Sequence, residues 1–163
     1  MYGDDKDTSF QNVMVIGEDF EEPYVISQPV KGRIKEIEVL VEARDQGWSD
    51  YPQDHNTYNN SWTYAELAKL MPDGSLSASR ELIYCNLHAV KRWQRHSKTW
   101  SATDSQFVRS LQAGDRVAVV LRAQFPGWTH YVKWAKIEIV YDRRVVDRHS
   151  DGFQGTSKKQ RLR

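Results

Sequence analysis

A chain of 163 residues is long enough for one domain with its own hydrophobic core, so neither a disulfide nor a metal is required for folding. With 23 Lys and Arg against 22 Asp and Glu, the formal charge of +1 provides no overall field for a polyanion, which makes nucleic acid an unlikely partner. The longest apolar runs fall short of the roughly 18 residues of a membrane span, and the N-terminus lacks the pattern of a signal peptide. The single cysteine, Cys85, fits a reducing compartment, so we expect a cytoplasmic or nuclear protein.

The first 22 residues are polar and acidic, apart from the short apolar patch Val13–Ile16. We predict that residues 1–22 form a flexible acidic N-terminal arm, in which the patch forms at most an edge strand. At the other end, residues 148–163 carry the basic run Lys158, Lys159, Arg161 and Arg163 and few groups able to pack. We predict a disordered basic tail there.

Between the two ends, apolar and polar residues alternate with a period of two, which is typical of half-buried strands. The alternation predicts strands at 37–43, 117–123 and 135–141, and 81–89 and 93–100 are also compatible with strands, the second as a polar edge. Segment 64–70 fits a helix or a strand, and 105–111 fits a short helix ending near Gly114. Turn signals separate these runs, so residues 23–147 are predicted to form an all-β antiparallel sandwich with one or two short helices.

An unusually aromatic and polar loop follows the first strand, at residues 45–62, and a second aromatic turn spans 125–131. Long loops of this kind often carry function; the alternative is that the rings plug one end of the sandwich. If both loops lie at the same end, they would line a cleft in which rings stack on a ligand and amides and carboxylates orient it. The predicted ligand-binding residues are Asp45, Gln46, Trp48, Asp50, Tyr51, Asp54, His55, Asn56, Trp62, Trp128, His130 and Tyr131.

Two groups of side chains offer possible metal ligands. Asp45, Asp50, Asp54 and Asn56 offer the oxygen ligands that calcium prefers, but their spacing matches no EF-hand, and hydrogen-bonded loop carboxylates are the favoured explanation. The only soft-ligand cluster is Cys85, His88 and His96, where Cys85 and His88 would point to opposite faces of one strand. We therefore predict no cofactor.

The segment 91–100 mixes basic side chains with Trp93 and Trp100. Such a mixture can bind single-stranded nucleic acid or anionic headgroups, whereas a charged edge strand protected against aggregation is the favoured interpretation.

Four motifs carry a resemblance to a known family: Asp45–Ser49 (DQGWS), Asn60–Thr63 (NSWT), Leu111–Val117 (LQAGDRV) and Phe125–Trp128 (FPGW). In this order they resemble an uncharacterised domain of fungal proteins, over residues 30–141, and the strand plan resembles galactose-binding-domain-like jelly rolls. The resemblance implies a binding module in general; it carries no activity and no ligand to particular residues.

These observations favour a non-catalytic recognition module whose aromatic loops bind a glycan or another small polyhydroxy ligand. The alternative is a protein-interaction domain that uses the same aromatic face, because Trp, Tyr and Arg are common interface anchors. A third interpretation is a divergent enzyme, which would require His55 or His130 to meet Asp50 or Asp54 in space. No catalytic residue is predicted.

Overall fold

Two antiparallel four-stranded sheets pack face to face in the computed structural model, which describes residues 5–17 and 20–142. In the described part of the chain the strands are β1 (Lys6–Gly17), β2 (Phe20–Ile26), β3 (Ile34–Arg44), β4 (Thr63–Leu70), β5 (Leu76–Cys85), β6 (Gln94–Ser101), β7 (Arg116–Ala123) and β8 (Thr129–Tyr141). One sheet has the order β1-β8-β3-β6 and the other β2-β7-β4-β5. The predicted all-β antiparallel sandwich is confirmed.

The core lies between the sheets and follows the alternation of the sequence. The four residues predicted to share one face of β3 are all fully buried: Ile37, Val39, Val41 and Ala43. Their neighbours in β8 and the inner face of β7 and β4 complete the core with Ala135, Ile137, Ile139, Val117, Val119, Leu121, Ala65 and Leu67. Side chains of a strand alternate between its two faces. This packing therefore determines on which side of the sheet each following loop begins.

The N-terminal segment differs from the predicted flexible arm over residues 1–22. β1 pairs with β8 along its length, from Lys6 opposite Val140 to Gly17 opposite Thr129, and β2 pairs with β7. An outer strand needs to bury only one face, so its backbone hydrogen bonds hold a polar sequence that contributes few core residues. The sheets therefore include residues that composition alone assigned to an arm. The predicted basic tail, residues 148–163, lies outside the described residues.

The shorter predicted elements have mixed outcomes. Segment 64–70 is a strand, β4, and 94–101 is the predicted edge strand, β6. The predicted helix is α1 (Gln106–Ser110), capped by Ser105, whose hydroxyl accepts the Val108 N–H at 3.2 Å. Strand β5 ends at Cys85, earlier than the predicted strand 81–89. Cys85 and His88 therefore do not lie on the same strand. No helix in the described residues is long and apolar enough to cross a membrane.

A buried tyrosine lies between two histidines at the junction of the sheets. The ring of His96 stacks on Tyr84 with centroids 4.2 Å apart, and His130 Nε2 lies 2.7 Å from the Tyr84 hydroxyl. His130 Nδ1 faces the carbonyl of Arg122 at 3.1 Å, which makes Nδ1 the donor and Nε2 the acceptor. Burial lowers the pKa of His130 to about 3 and that of His96 to about 4, so both rings are neutral in the folded protein.

We expect stability to decrease when the pH falls below neutrality. An unfolded histidine titrates near pH 6.5, so the unfolded chain takes up protons there while the folded chain takes them up only near pH 3 to 4. Between pH 7 and 5.5 this costs about 1 kcal/mol of unfolding free energy for His130, and less for the partly exposed His96. Urea unfolding at several pH values in this range measures how the unfolding free energy changes with pH. His96→Phe should reduce the dependence of the unfolding free energy on pH, because it removes one of the two histidines whose pKa burial lowers. Equal dependence on pH in wild type and His96→Phe would contradict the assignment.

Candidate functional site

The two aromatic loops meet at one end of the sandwich and enclose a cleft of about 520 Å³. The loop after β3 forms one wall, and the turn before β8 forms the other. The residues that line the cleft are Gln46, Trp48, Ser49, Asp50, Tyr51, Asn60, Trp62, Phe125, Pro126, Gly127 and Trp128. The structure therefore brings together segments that are separated by more than sixty positions in the sequence.

The rings of the cleft differ in how much of their surface is exposed. Trp48 and Tyr51 are 59% and 54% exposed, so their faces are available to a ligand. Trp62 and Phe125 pack edge to face, with centroids 4.8 Å apart, and Phe125 is also exposed. Trp128, by contrast, is only 9% exposed, so most of its ring is packing surface.

A buried carboxylate shapes the start of the long loop. Asp45 is fully buried and accepts the N–H groups of Gly47, at 2.8 Å, and Ala89, at 2.5 Å. Burial raises the pKa of Asp45, and these backbone hydrogen bonds oppose the rise. Gly47 has a φ of +77°, and a Cβ there would lie 2.6 Å from Cγ of Lys91, so the tight turn requires glycine. Asp45 therefore positions the loop and does not face the cleft.

A buried histidine connects the loop to the segment after β5. His88 Nδ1 lies 3.0 and 2.9 Å from the carbonyl oxygens of Asn59 and Asn60, so Nδ1 is the donor. Its Nε2 then accepts the hydroxyl of Ser49 at 2.5 Å. The ring of Trp128 packs edge-on against the imidazole, with centroids 5.0 Å apart. One imidazole thus holds both walls of the cleft.

The amide of Gln46 forms a second bridge between the walls. Its Nε2 donates to the carbonyl of Trp48 at 3.1 Å, and its Oε1 accepts the N–H of Thr129 at 3.2 Å. Each loop is therefore fixed by polar contacts that leave the exposed rings free.

The structure divides the predicted site residues into two sets. Those that line the cleft are Gln46, Trp48, Asp50, Tyr51, Trp62 and Trp128. Asp45 lies beneath the loop, and Asp54 is buried, where it accepts the Asn60 amide at 2.7 Å. His55 and Asn56 lie on the exposed side of the loop, His130 is in the core beside Tyr84, and Tyr131 lies on the outer face of the first sheet.

Several cleft residues were missed by the sequence analysis: Ser49, Asn60, Phe125, Pro126 and Gly127. All of them belong to the motifs DQGWS, NSWT and FPGW that carry the family resemblance. The signal was present in those motifs, but they were used for the family resemblance and not for the choice of ligand contacts.

The calcium and zinc candidates do not assemble into metal sites. Asp45 and Asp54 use their oxygens for hydrogen bonds within the loop. Across residues 5–17 and 20–142, no group of three or more His, Cys, Asp or Glu could hold a metal ion. This applies to Asp45 with Asp50 and Asp54, and to Cys85 with His88 and His96.

The histidines of the site do not form the pairs that an acid–base mechanism would use. His55 contacts Ser49, with Nε2 3.1 Å from the hydroxyl, and His130 contacts Tyr84; in the described structure neither is hydrogen-bonded to Asp50 or Asp54. The Ser49–His88 contact has the geometry of a nucleophile and its base, but the hydroxyl oxygen also accepts the Tyr51 N–H at 3.2 Å and lies 3.1 Å from the donor His55 Nε2. Both lone pairs are thereby occupied, and the contact serves to hold the loop.

No protein-family profile and no curated protein matches the sequence. Among solved structures, a xylan-binding module, CBM15, is 10% identical, with 86% of this chain and 99% of that chain covered and a TM-score of 0.45. The CBM22-1 xylan-binding domain of Xyn10C from Paenibacillus barcinonensis is 7% identical, with 82% and 86% covered and a TM-score of 0.41. The enzymatically active domain of tailspike protein 4 from bacteriophage CBA120 is 9% identical, with 79% and 19% covered and a TM-score of 0.33. None of these likenesses assigns a ligand to this chain.

Because two cleft tryptophans differ in burial, their replacement is predicted to change the unfolding free energy by different amounts. Trp128→Ala should lower the unfolding free energy by about 3 kcal/mol or more, because it removes a packed ring beside His88. Trp48→Ala should change it by less than about 0.5 kcal/mol, because most of that ring is in solvent. Urea unfolding of the two variants measures the difference. Similar losses in both would show that the Trp48 ring is not free.

Proposed function

We propose that the domain is a non-catalytic recognition module that binds a glycan, or another small polyhydroxy ligand, in the cleft between its two aromatic loops. The observation that carries the proposal is the exposure of the Trp48 and Tyr51 rings on a preformed cleft. Large rings left in water are costly, and contiguous exposed apolar surface with polar groups around it is typical of binding sites.

The chemistry of the cleft fits a polyhydroxy ligand. The apolar face of a sugar ring can lie on an aromatic ring, while its hydroxyl groups need donors and acceptors nearby. Asp50, Asn60 and Gln46 supply a carboxylate and two amides around the rings. The hydrogen bonds of His88 and Gln46 keep the loops in place, so binding would lose little conformational entropy.

A protein partner is the second candidate for the same aromatic face. Exposed Trp and Tyr side chains at one end of a rigid domain also match the anchors of protein interfaces. The two candidates differ in the size of the contact. A glycan needs the cleft alone, whereas a specific protein interface buries about 800 Å² of each partner and would extend beyond the loops.

The proposal predicts that Trp48→Ala and Tyr51→Ala each reduce binding on a glycan array by at least about tenfold, because each removes a stacking surface. Tyr58→Ala is the matched control, because Tyr58 lies in the same loop and is 62% exposed but does not line the cleft. Circular dichroism should show that all three variants are folded.

A blank array with folded wild-type protein would overturn the glycan proposal. In that case, pull-down from lysate with wild type and Trp48→Ala would test the second candidate. Retention of a protein by the wild type and not by Trp48→Ala would support an interaction domain.

A further inference from the structure

One arginine on the outer face of the first sheet is held between two aromatic rings. The guanidinium carbon of Arg44 lies 4.3 Å from the ring centroid of Tyr131 and 5.0 Å from that of Trp93. Arg44 is paired with Tyr131 across β3 and β8, and Trp93 immediately precedes β6 on the other side. In this stack, cation–π attraction from two rings favours one placement of the guanidinium, which an exposed arginine without ring contacts lacks.

Arg44 differs in its partners from the other half-buried arginines of the described structure. Arg80 and Arg122 each form ion pairs with both Glu21 and Glu66 on the second sheet. For Arg44, the contacts within the described residues are the two rings and one hydrogen bond, from Nη1 to the Asp45 carbonyl at 3.1 Å. No ion pair joins Arg44 to a carboxylate of the described residues, so apart from the Asp45 carbonyl its N–H donors have no acceptor there that would compete with an anionic ligand.

The carboxylate two residues earlier on the same strand is already engaged. Glu42 accepts the indole N–H of Trp134 at 2.8 Å and lies 3.7 Å from Arg95 and 3.8 Å from Lys133. Lys133 also lies 6.0 Å above the Trp93 ring. The surface around Trp93 therefore keeps a positive charge, and Glu42 does not cancel the charge of Arg44.

This stack adjoins the cleft along two strands. Arg44 is two residues before Gln46, and Tyr131 is three residues after Trp128; both Gln46 and Trp128 line the cleft. Within the cleft lining itself, Asp50 is the only charged side chain of the described residues. Apart from Asp50, the side chains that line the cleft are uncharged, and the Arg44 cation lies outside the lining on a strand that leads into it.

We propose that Arg44 forms a subsite for the carboxylate of an acidic sugar, so that the ligand of the cleft is a uronic-acid-containing glycan. This inference depends on the proposed function of the cleft. A guanidinium presents two parallel N–H groups that match the two oxygens of a carboxylate, and ring contacts, unlike an ion pair, do not occupy those groups. Stacking in the cleft holds the chain, and the carboxylate fixes its register and excludes neutral chains.

The experiment compares short oligouronides of the galacturonate, glucuronate and mannuronate series with the same oligosaccharides after their carboxyl groups are reduced to primary alcohols. Titration calorimetry is carried out with wild type, Arg44→Met, Arg44→Lys and Arg116→Met. Arg44→Met keeps much of the aliphatic stem and removes the charge, Arg44→Lys keeps the charge and removes the fork, and Arg116→Met removes an exposed charge on the second sheet. Thermal melting verifies that each variant is folded.

The wild type should bind at least one oligouronide about tenfold or more tighter than its reduced form, and added NaCl should narrow the difference. Arg44→Met should bind the two forms equally and keep the wild-type affinity for the reduced one. The acidic preference of Arg44→Lys should lie between those of wild type and Arg44→Met, and Arg116→Met should match the wild type.

Two results would overturn the inference and can be told apart. Equal or tighter binding of the reduced oligosaccharides by wild type, or an acidic preference that survives in Arg44→Met, rejects the Arg44 subsite and leaves the glycan-binding cleft standing. Failure of wild type to bind either form, together with a blank array, rejects the cleft as a glycan site and the subsite with it.

Discussion

The shape of the cleft depends on a polar cluster buried beneath it. The His88 imidazole donates to two loop carbonyls and accepts the Ser49 hydroxyl, and the Asp45 carboxylate accepts two backbone N–H groups. Polar groups buried in this way stabilise a structure only when all their hydrogen bonds are made, because an unpaired one costs about 1 to 3 kcal/mol. The requirement restricts the long loop to one arrangement. The positions of the exposed Trp48 and Tyr51 rings follow from the backbone of this loop and do not depend on packing of the rings themselves.

Exposure and burial of chemically similar rings cannot be distinguished from local sequence. Trp48 and Trp128 both follow a glycine in an aromatic turn, yet Trp48 is in solvent and Trp128 packs on His88. The partner that decides the difference lies forty positions from both, after β5. Strand alternation, in contrast, is a local pattern, and it located β3, β7 and the C-terminal half of β8, whereas the shared end of the two loops was only a hypothesis drawn from it. The same dependence on distant partners explains β1, whose polar sequence gives little sign that β8 is available for pairing.

The charged side chains on the outer faces of the two sheets have different kinds of partners. On the second sheet, Arg80 and Arg122 share Glu21 and Glu66, so this network ties β2, β4, β5 and β7 together and leaves little charge for a partner. On the first sheet, Glu42 is shared among Trp134, Arg95 and Lys133, and Arg44 is supported by rings. An ion pair within the protein would compete with a ligand for the guanidinium, whereas aromatic stacking fixes its position and leaves its N–H groups available.

Rings and charges contribute differently to recognition at such a site. Stacking on Trp48 and Tyr51 depends on the apolar face that most sugars share, so it supplies affinity with little discrimination. A fixed cation such as Arg44 discriminates strongly, because a ligand without an anionic group leaves the guanidinium partly desolvated and unpaired. The carboxylate of Asp50 in the cleft acts in the opposite sense and disfavours an anionic group placed there. If the cleft binds an acidic glycan as proposed, Asp50 in the cleft and Arg44 on the outer sheet would give the ligand a direction, with its neutral sugar ring in the cleft and its acidic unit over the outer sheet.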